Sequence, residues 1–210
     1  MIRTLIVDDH MIIRRGLRQV LADGDDFEVV GEAATGTEAL RFLREREADV
    51  VLLDIAMEGR DGLEVLKQLR QEFPRTAVLM LSVYPESQFA LRAIKGGAAG
   101  YLNKGCAPEA LYEAVRKAAS GGMYVTTSLA ERMALQLRGE ERPPHEVLSN
   151  REYQVLQQLA EGHSVSEIAQ RLKLSVNTVS TYRARVFEKL GLRSNMELLS
   201  FAARHQLVTL

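Results

Sequence analysis

Five side chains scattered over the first half of a 210-residue chain could serve one reaction: Asp8, Asp9, Asp54, Ser82 and Lys104. Mg²⁺ is held in proteins by a few carboxylates together with water and phosphate oxygens. A carboxylate can also act as a nucleophile toward phosphorus. A lysine ammonium would stabilise charge on a transferring phosphoryl group, and a serine hydroxyl could hydrogen-bond one of its oxygens. Brought together, the five would support metal-assisted transfer of a phosphoryl group to an aspartate. Taken singly, each has a plainer reading. An Asp at a strand end is usually a turn residue or a cap, and a lone Lys is usually a solvated charge.

The chemistry therefore depends on elements that bring these residues to one place. Short apolar runs occupy residues 4–7, 27–30, 50–53, 77–81 and 100–102, each the length of a buried strand. Amphipathic stretches separate them, with Ala39, Leu40 and Leu43 on one and Leu63, Leu66 and Leu69 on the next. Such alternation predicts right-handed βαβ crossovers: a doubly wound parallel sheet of five strands with helices on both faces. Asp8 and Asp9 follow the first run, Asp54 the third and Ser82 the fourth, and Lys104 comes soon after the fifth. The C-terminal ends of parallel strands share one edge, where doubly wound folds place their sites. All five residues in that order at that edge are hard to reconcile with separate structural roles.

At this point the sequence resembles the receiver domains of two-component response regulators. The resemblance is carried by LIVDDH (5–10), VLLDIAMEGRDG (51–62), MLSVY (80–84) and GYLNKG (100–105). It implies a flavodoxin-like α/β fold in which Asp54 accepts phosphate from a sensor histidine kinase. It implies that Asp8, Asp9, Asp54 and the Ala56 backbone carbonyl hold Mg²⁺, and that Ser82 and Lys104 contact the phosphoryl group. Tyr101 would be the aromatic that turns inward as Ser82 moves, although packing at a sheet edge explains it too. Glu58 stands where the family often has proline, which implies a change of loop rigidity rather than loss of function. Ala56 and Tyr84 stand where the family varies phosphate lifetime.

After Ser120 the alternation stops. Gly121 and Gly122 end a helix, residues 126–137 read as one more short helix, and 139–146 (GEERPPHE) is polar and proline-paired, as a linker is. The expected organisation is a receiver at 1–121, a linker with a short helix at 122–146, and an all-α domain at 147–210. Ser149 with Glu152, Ser164 with Glu167, and Ser194 with Glu197 have the capping-box spacing that opens a helix. Ser175 can cap a further helix that Gly191 ends.

The pair 165–172 and Val176–Leu190, joined by a short turn, suggests a helix-turn-helix. Val179, Tyr182, Val186 and Leu190 form a core stripe on the second helix. Its other side shows small polar groups that can approach base edges and cations that can reach phosphates, a pattern a solvated face fits equally. Residues 148–205 resemble the four-helix LuxR-type DNA-binding domain, and the whole chain resembles the NarL/FixJ subfamily. The resemblance makes Val176–Leu190 the recognition helix in the major groove. Ser180, Thr181 and Ala184 would face bases, and Lys173, Asn177, Arg183, Arg185 and Lys189 the backbone. The closing helix, 195–205, would carry dimerisation through Asn195, Leu198, Leu199 and Ala202. The implied partners are double-stranded DNA, a sensor kinase, a second copy when phosphorylated, and RNA polymerase.

Bulk properties agree. The chain is 46% hydrophobic and 26% charged, with one cysteine, Cys106, and no apolar run that reaches the ~18 residues of a membrane span. The aspartates at 8 and 9 interrupt any signal-peptide core, so a cytoplasmic protein is expected. Residues 1–121 hold 16 Lys and Arg against 19 Asp and Glu, and residues 147–210 hold 8 against 5, which places the basic surplus at the C-terminal end. His10, His145, His163 and His205 show no metal-ligand spacing and read as surface or capping residues. A phosphoryl-transfer hydrolase would want a second acid two residues after the nucleophile, where Ala56 stands, so an enzyme is not expected. An RNA-binding antiterminator is disfavoured by the helix-turn-helix.

Overall fold

The computed structural model describes residues 1–57, 61–137, 147–205 and 207. Glu58, the linker 139–146 and His145 lie outside the described residues. The chain divides into two compact units, Met1–Met133 and Ala134–Leu210.

The first unit runs β1 (Ile2–Val7), α1 (Met11–Ala22), β2 (Phe27–Ala33), α2 (Gly36–Glu45), β3 (Val50–Asp54), α3 (Gly62–Glu72), β4 (Ala77–Ser82), α4 (Glu86–Lys95), β5 (Gly100–Asn103) and α5 (Pro108–Ala119). The strands form one parallel sheet in the order β2-β1-β3-β4-β5. Successive side chains of a strand point to opposite faces. Ile6, Leu52, Leu79, Leu81 and Leu102 accordingly join Leu21 of α1 and Leu111 and Val115 of α5 in one core. The alternate residues, among them Leu5, Val7, Leu53 and Met80, are equally buried, and α2 and α3 pack on the sheet. Because β1 lies between β2 and β3, the strand order reverses there, and a crevice opens at the strands' C-terminal ends.

Every strand is longer than its apolar run. β2 continues through Gly31 and Glu32 to Ala33, carried by pairing with Leu5–Val7 across a register shift at Thr4/Leu5. β3 and β4 include Asp54 and Ser82 as their last residues. Backbone hydrogen bonding thus holds the two polar residues at the crevice, an effect that hydrophobicity alone does not report.

The compact unit also extends past the expected boundary at 121. The Tyr124 N–H donates to Ala99 O at 2.7 Å. Helix α6 (Thr127–Leu137) begins on α4: Thr126 Oγ1 accepts from Leu129 N and donates to Glu86 Oε1 at 2.6 Å, and Arg132 donates to Ser87 O. Leu129 is buried. The first part of the expected linker is therefore folded onto the receiver-like unit.

The second unit is helical: α7 (Asn150–Ala160), α8 (Val165–Arg171), α9 (Val176–Leu190) and α10 (Asn195–Arg204). Ser149 and Ser164 form complete capping boxes with Glu152 and Glu167. The third expected box is only half made. Ser194 accepts from Glu197 N, but the Glu197 carboxylate accepts from the Arg193 amide instead of closing on Ser194. Gly191 ends α9 in the left-handed region, φ 66°. Val155, Ile168, Ala169, Leu172 and Val179 form the core where α7, α8 and α9 meet.

Candidate functional site

The ends of β1, β3, β4 and β5 bring the five residues together as the sequence order requires. Asp8 is fully buried just beyond β1, with Asp9 beside it. Lys104 reaches across from the β5 end: Nζ lies 2.6 Å from Asp8 Oδ2 and 2.9 Å from Asp54 Oδ2, and its side chain is 7% exposed. Its backbone N–H donates to Ser82 O at 2.8 Å, which fixes the β5–α5 turn beside the β4 end. Asp54 Oδ1 accepts from the Ala56 amide at 3.2 Å, so the Ala56 peptide borders the pocket. Ser82 is buried and its Oγ accepts from Tyr84 N, while the Tyr101 hydroxyl donates to Tyr84 O at 2.8 Å. Ser82 and Tyr101 thus grip the same residue, and Tyr101 is turned inward.

Among the described residues, the buried Asp8 and Asp54 and the nearly buried Asp9 face the Lys104 ammonium, a surplus of negative charge. Burial, with Asp8 adding to it, pushes the Asp54 carboxyl above its ordinary range despite Lys104. Lys104 is held protonated: burial alone would lower it, but Asp54 and Asp8 raise it. Burial pushes the Tyr101 phenol well up, so it stays a neutral donor. Hard carboxylate oxygens in excess of their cation suit Mg²⁺.

His10 is exposed, as a surface residue was expected to be, and its ring also reaches this cluster. It occupies the N-cap position of α1 but makes no side-chain cap bond. Its ring Nδ1 lies 2.8 Å from Asp9 Oδ1 and 3.2 Å from Asp8 Oδ1. Ligand-type atoms of Asp8, Asp9, His10 and Asp54 all fall within 4.8 Å of one another. The only sequence signal was adjacency to the acid pair.

In the second unit, α8 and α9 meet at a turn in which Lys173 takes a left-handed conformation, φ 51°. Asn177, Ser180, Thr181, Ala184, Arg185 and Lys189 of α9 are exposed, as is Lys173. Asn177, Thr181 and Arg185 line a shallow recess with Thr178 and Tyr182. Lys189 and Arg183 are among the cations with internal partners. Lys189 Nζ is 2.6 Å from Glu152 Oε2, and Arg183 donates to Asn195 Oδ1 and lies over the Phe187 ring. On α10, Leu198 and Ala202 are buried, and the helix packs on α7. Both must leave the expected dimerisation set, because a side chain in the core of its own chain cannot face a partner. Leu199 and Met196 are exposed.

A response regulator receiver domain model matches residues 4–116, and a model for bacterial regulatory proteins of the luxR family matches residues 146–202. Response regulator UvrY of Escherichia coli K12 is 39% identical over 209 residues, covering 99% of this chain and 96% of that protein. Response regulator GacA of Pseudomonas aeruginosa is 39% identical over 210 residues, covering 99% and 98%. The chain belongs to the NarL/FixJ response regulators. Among solved structures, RcsB from Salmonella enterica serovar Typhimurium, bound to promoter rprA with the phosphomimetic BeF₃⁻, is 27% identical with a TM-score of 0.64, covering 96% of this chain and 98% of that one. The response regulator ChrA of a heme-sensing two-component system is 32% identical with a TM-score of 0.54, covering 99% and 98%. As in that family, this regulator joins a receiver to a LuxR-type helical domain.

Proposed function

We propose that Asp54 accepts a phosphoryl group from a sensor histidine kinase and that this modification controls dimerisation and sequence-specific binding of duplex DNA by α9. The single observation that supports it most is the meeting of Asp8, Asp9, Asp54, Ser82 and Lys104 at the strand-order reversal, in a chain that also carries a helix-turn-helix. An Asp54 oxygen attacks phosphorus as the P–N bond to the kinase histidine breaks, and the lone pair returns to the imidazole. Lys104 neutralises charge on the incoming phosphoryl oxygens, and the Ser82 hydroxyl is placed to donate to one of them. Asp8, Asp9, Asp54 and the Ala56 carbonyl would hold Mg²⁺. Bound there, the ion supplies further charge neutralisation.

The switch begins at Tyr84. Ser82 and Tyr101 both hold it, so displacement of Ser82 toward a phosphoryl oxygen is passed to the β4–α4 turn, to Glu86 and to Thr126 at the start of α6. Phosphorylation favours pairing of two copies, which then bind two half-sites. Exposed Ser180, Thr181 and Ala184 approach bases, and Lys173, Asn177 and Arg185 contact phosphates. Arg183 and Lys189 must first exchange Asn195 and Glu152 for phosphate. The functional division is a receiver at 1–121, a linker at 122–146 and a DNA-binding domain at 147–210. Recruitment of RNA polymerase and action in the cytoplasm complete the reading. No helix among the described residues is long and apolar enough to cross a membrane.

Radiolabelled acetyl phosphate with Mg²⁺ tests the first step. Wild type takes up acid-stable, base-labile label, and Asp54→Asn takes up none. Equal labelling of both proteins would remove Asp54 from the reaction.

A further inference from the structure

We propose that His10 is a fourth protein ligand in the acidic pocket, which makes it a site for imidazole-seeking divalent ions of the Co²⁺, Ni²⁺ and Zn²⁺ class as well as for Mg²⁺. This rests on the reading of that pocket as a metal site and extends it to a nitrogen donor.

Three observations lead to it. The first is how the ring is aimed. Asp8 Oδ1 accepts the His10 backbone N–H at 2.8 Å, which anchors the residue at the pocket rim while the ring swings in toward Asp8 and Asp9. The ring caps no helix N–H, so helix geometry does not explain its orientation. The second is unmet acceptor capacity. Asp8 Oδ2 and Asp54 Oδ2 are buried and, among the described residues, accept no well-aligned hydrogen bond; they share the single ammonium of Lys104. Buried carboxylate oxygens left this way carry a desolvation cost that a cation would remove. The third is spacing. Donor atoms from all four residues lie within 4.8 Å of one another. Ligands on opposite sides of one ion with bonds of about 2.1 Å stand roughly 4.2 Å apart, so small side-chain rotations bring all four to one centre. The His10 side chain is 57% exposed and can make such a rotation without leaving a packed core.

Ligand type then decides which ion gains. Mg²⁺ takes oxygen ligands and keeps its waters, so a nearby imidazole adds little to its binding. Co²⁺, Ni²⁺ and Zn²⁺ bind imidazole readily, so for them His10 is a full ligand. An ion of this class would occupy the phosphorylation pocket itself and compete there with Mg²⁺.

The test is calorimetric titration of full-length, tag-free protein with Mg²⁺ and separately with Co²⁺, for wild type, His10→Ala, His10→Gln and Asp54→Asn. Proton NMR of each Co²⁺ complex is recorded alongside. Losing the nitrogen ligand weakens Co²⁺ by roughly tenfold or more in both His10 variants and leaves Mg²⁺ within about twofold. Hyperfine-shifted imidazole resonances appear in the wild-type Co²⁺ complex and vanish in His10→Gln, a variant that keeps a hydrogen-bond donor for the acids. Equal weakening of Mg²⁺ and Co²⁺ would make His10 a residue that only positions the carboxylates and would overturn the proposal. Absence of hyperfine-shifted imidazole signals would overturn it as well. If Asp54→Asn bound both ions as tightly as wild type, the metal pocket itself would be wrong, and the proposal would fall with it.

Discussion

Gly62 begins α3 with its backbone N–H donating to Ile55 O at 3.0 Å, and no side chain can stand there. A Cβ at this position would collide with the Asp54 carbonyl oxygen and lie 2.8 Å from Ile55 Cα, both of which are backbone atoms that cannot swing aside. Gly62→Ala is expected to destabilise the first unit by about 2 kcal/mol and to slow phosphorylation, read by urea denaturation and acetyl phosphate labelling together. Normal stability and normal labelling would mean that the strand end moves freely. Lys104→Met removes an ammonium that lies against both Asp8 and Asp54. Labelling should fall by roughly a hundredfold or more with the far-ultraviolet dichroism unchanged. At this scale the sequence was legible where a residue's position follows from a strand end, as for Asp54 and Ser82. It was not legible for His10, whose ring direction depends on how the Asp8 carboxylate holds its backbone. Nor did it reveal that Lys189 and Arg183 are engaged by Glu152 and Asn195, because helical periodicity gives a face and not a neighbour.

The elements of the second unit are held by contacts that titrate. Burial pushes the Glu152 carboxyl up, but hydrogen bonds from Lys189 and from Ser149 outweigh it and hold the carboxyl below its ordinary 4.5. The folded state therefore keeps this group ionised at pH values where the unfolded chain has begun to protonate it. Its contribution is complete above about pH 4.5 and fades as pH falls through the lower, folded value. Glu152→Gln should cost roughly 1 kcal/mol at neutral pH and flatten the acid limb of the unfolding curve, measured by urea titration from neutral pH downward. An acid limb unchanged from wild type would exclude the pair as its source. On α10, Leu198→Ala should cost about 2–5 kcal/mol, because Leu198 is buried. Leu199→Glu should leave stability within about 0.5 kcal/mol and weaken self-association of the phosphorylated protein in sedimentation. The family resemblance proposed α10 as an interface but could not separate these neighbours, since both sides of a short helix carry leucine. Strand positions were legible and their ends were not: pairing with β1 extends β2 over Gly31 and Glu32, which no apolar count would include.

For the whole molecule, two architectures were readable from a change of period, strands and helices giving way to helices alone. The place of that change was less so. The chain stays with the first unit to Met133 because Tyr124, Thr126 and Arg132 bond to the β5 edge and to α4, contacts without a hydrophobic signature. The link from Tyr84 through Glu86 to Thr126 gives phosphorylation a physical route to the segment that leads to the DNA-binding helices. Coupling of Asp54 to α9 is the claim on which the functional reading depends. Fluorescence anisotropy on a candidate promoter duplex tests it most directly, with and without acetyl phosphate and Mg²⁺, for wild type and Asp54→Ala. Tightening by roughly tenfold in phosphorylated wild type alone is the predicted result. Equal affinity in all four conditions would contradict it, leaving a DNA-binding protein whose receiver does not answer to phosphate.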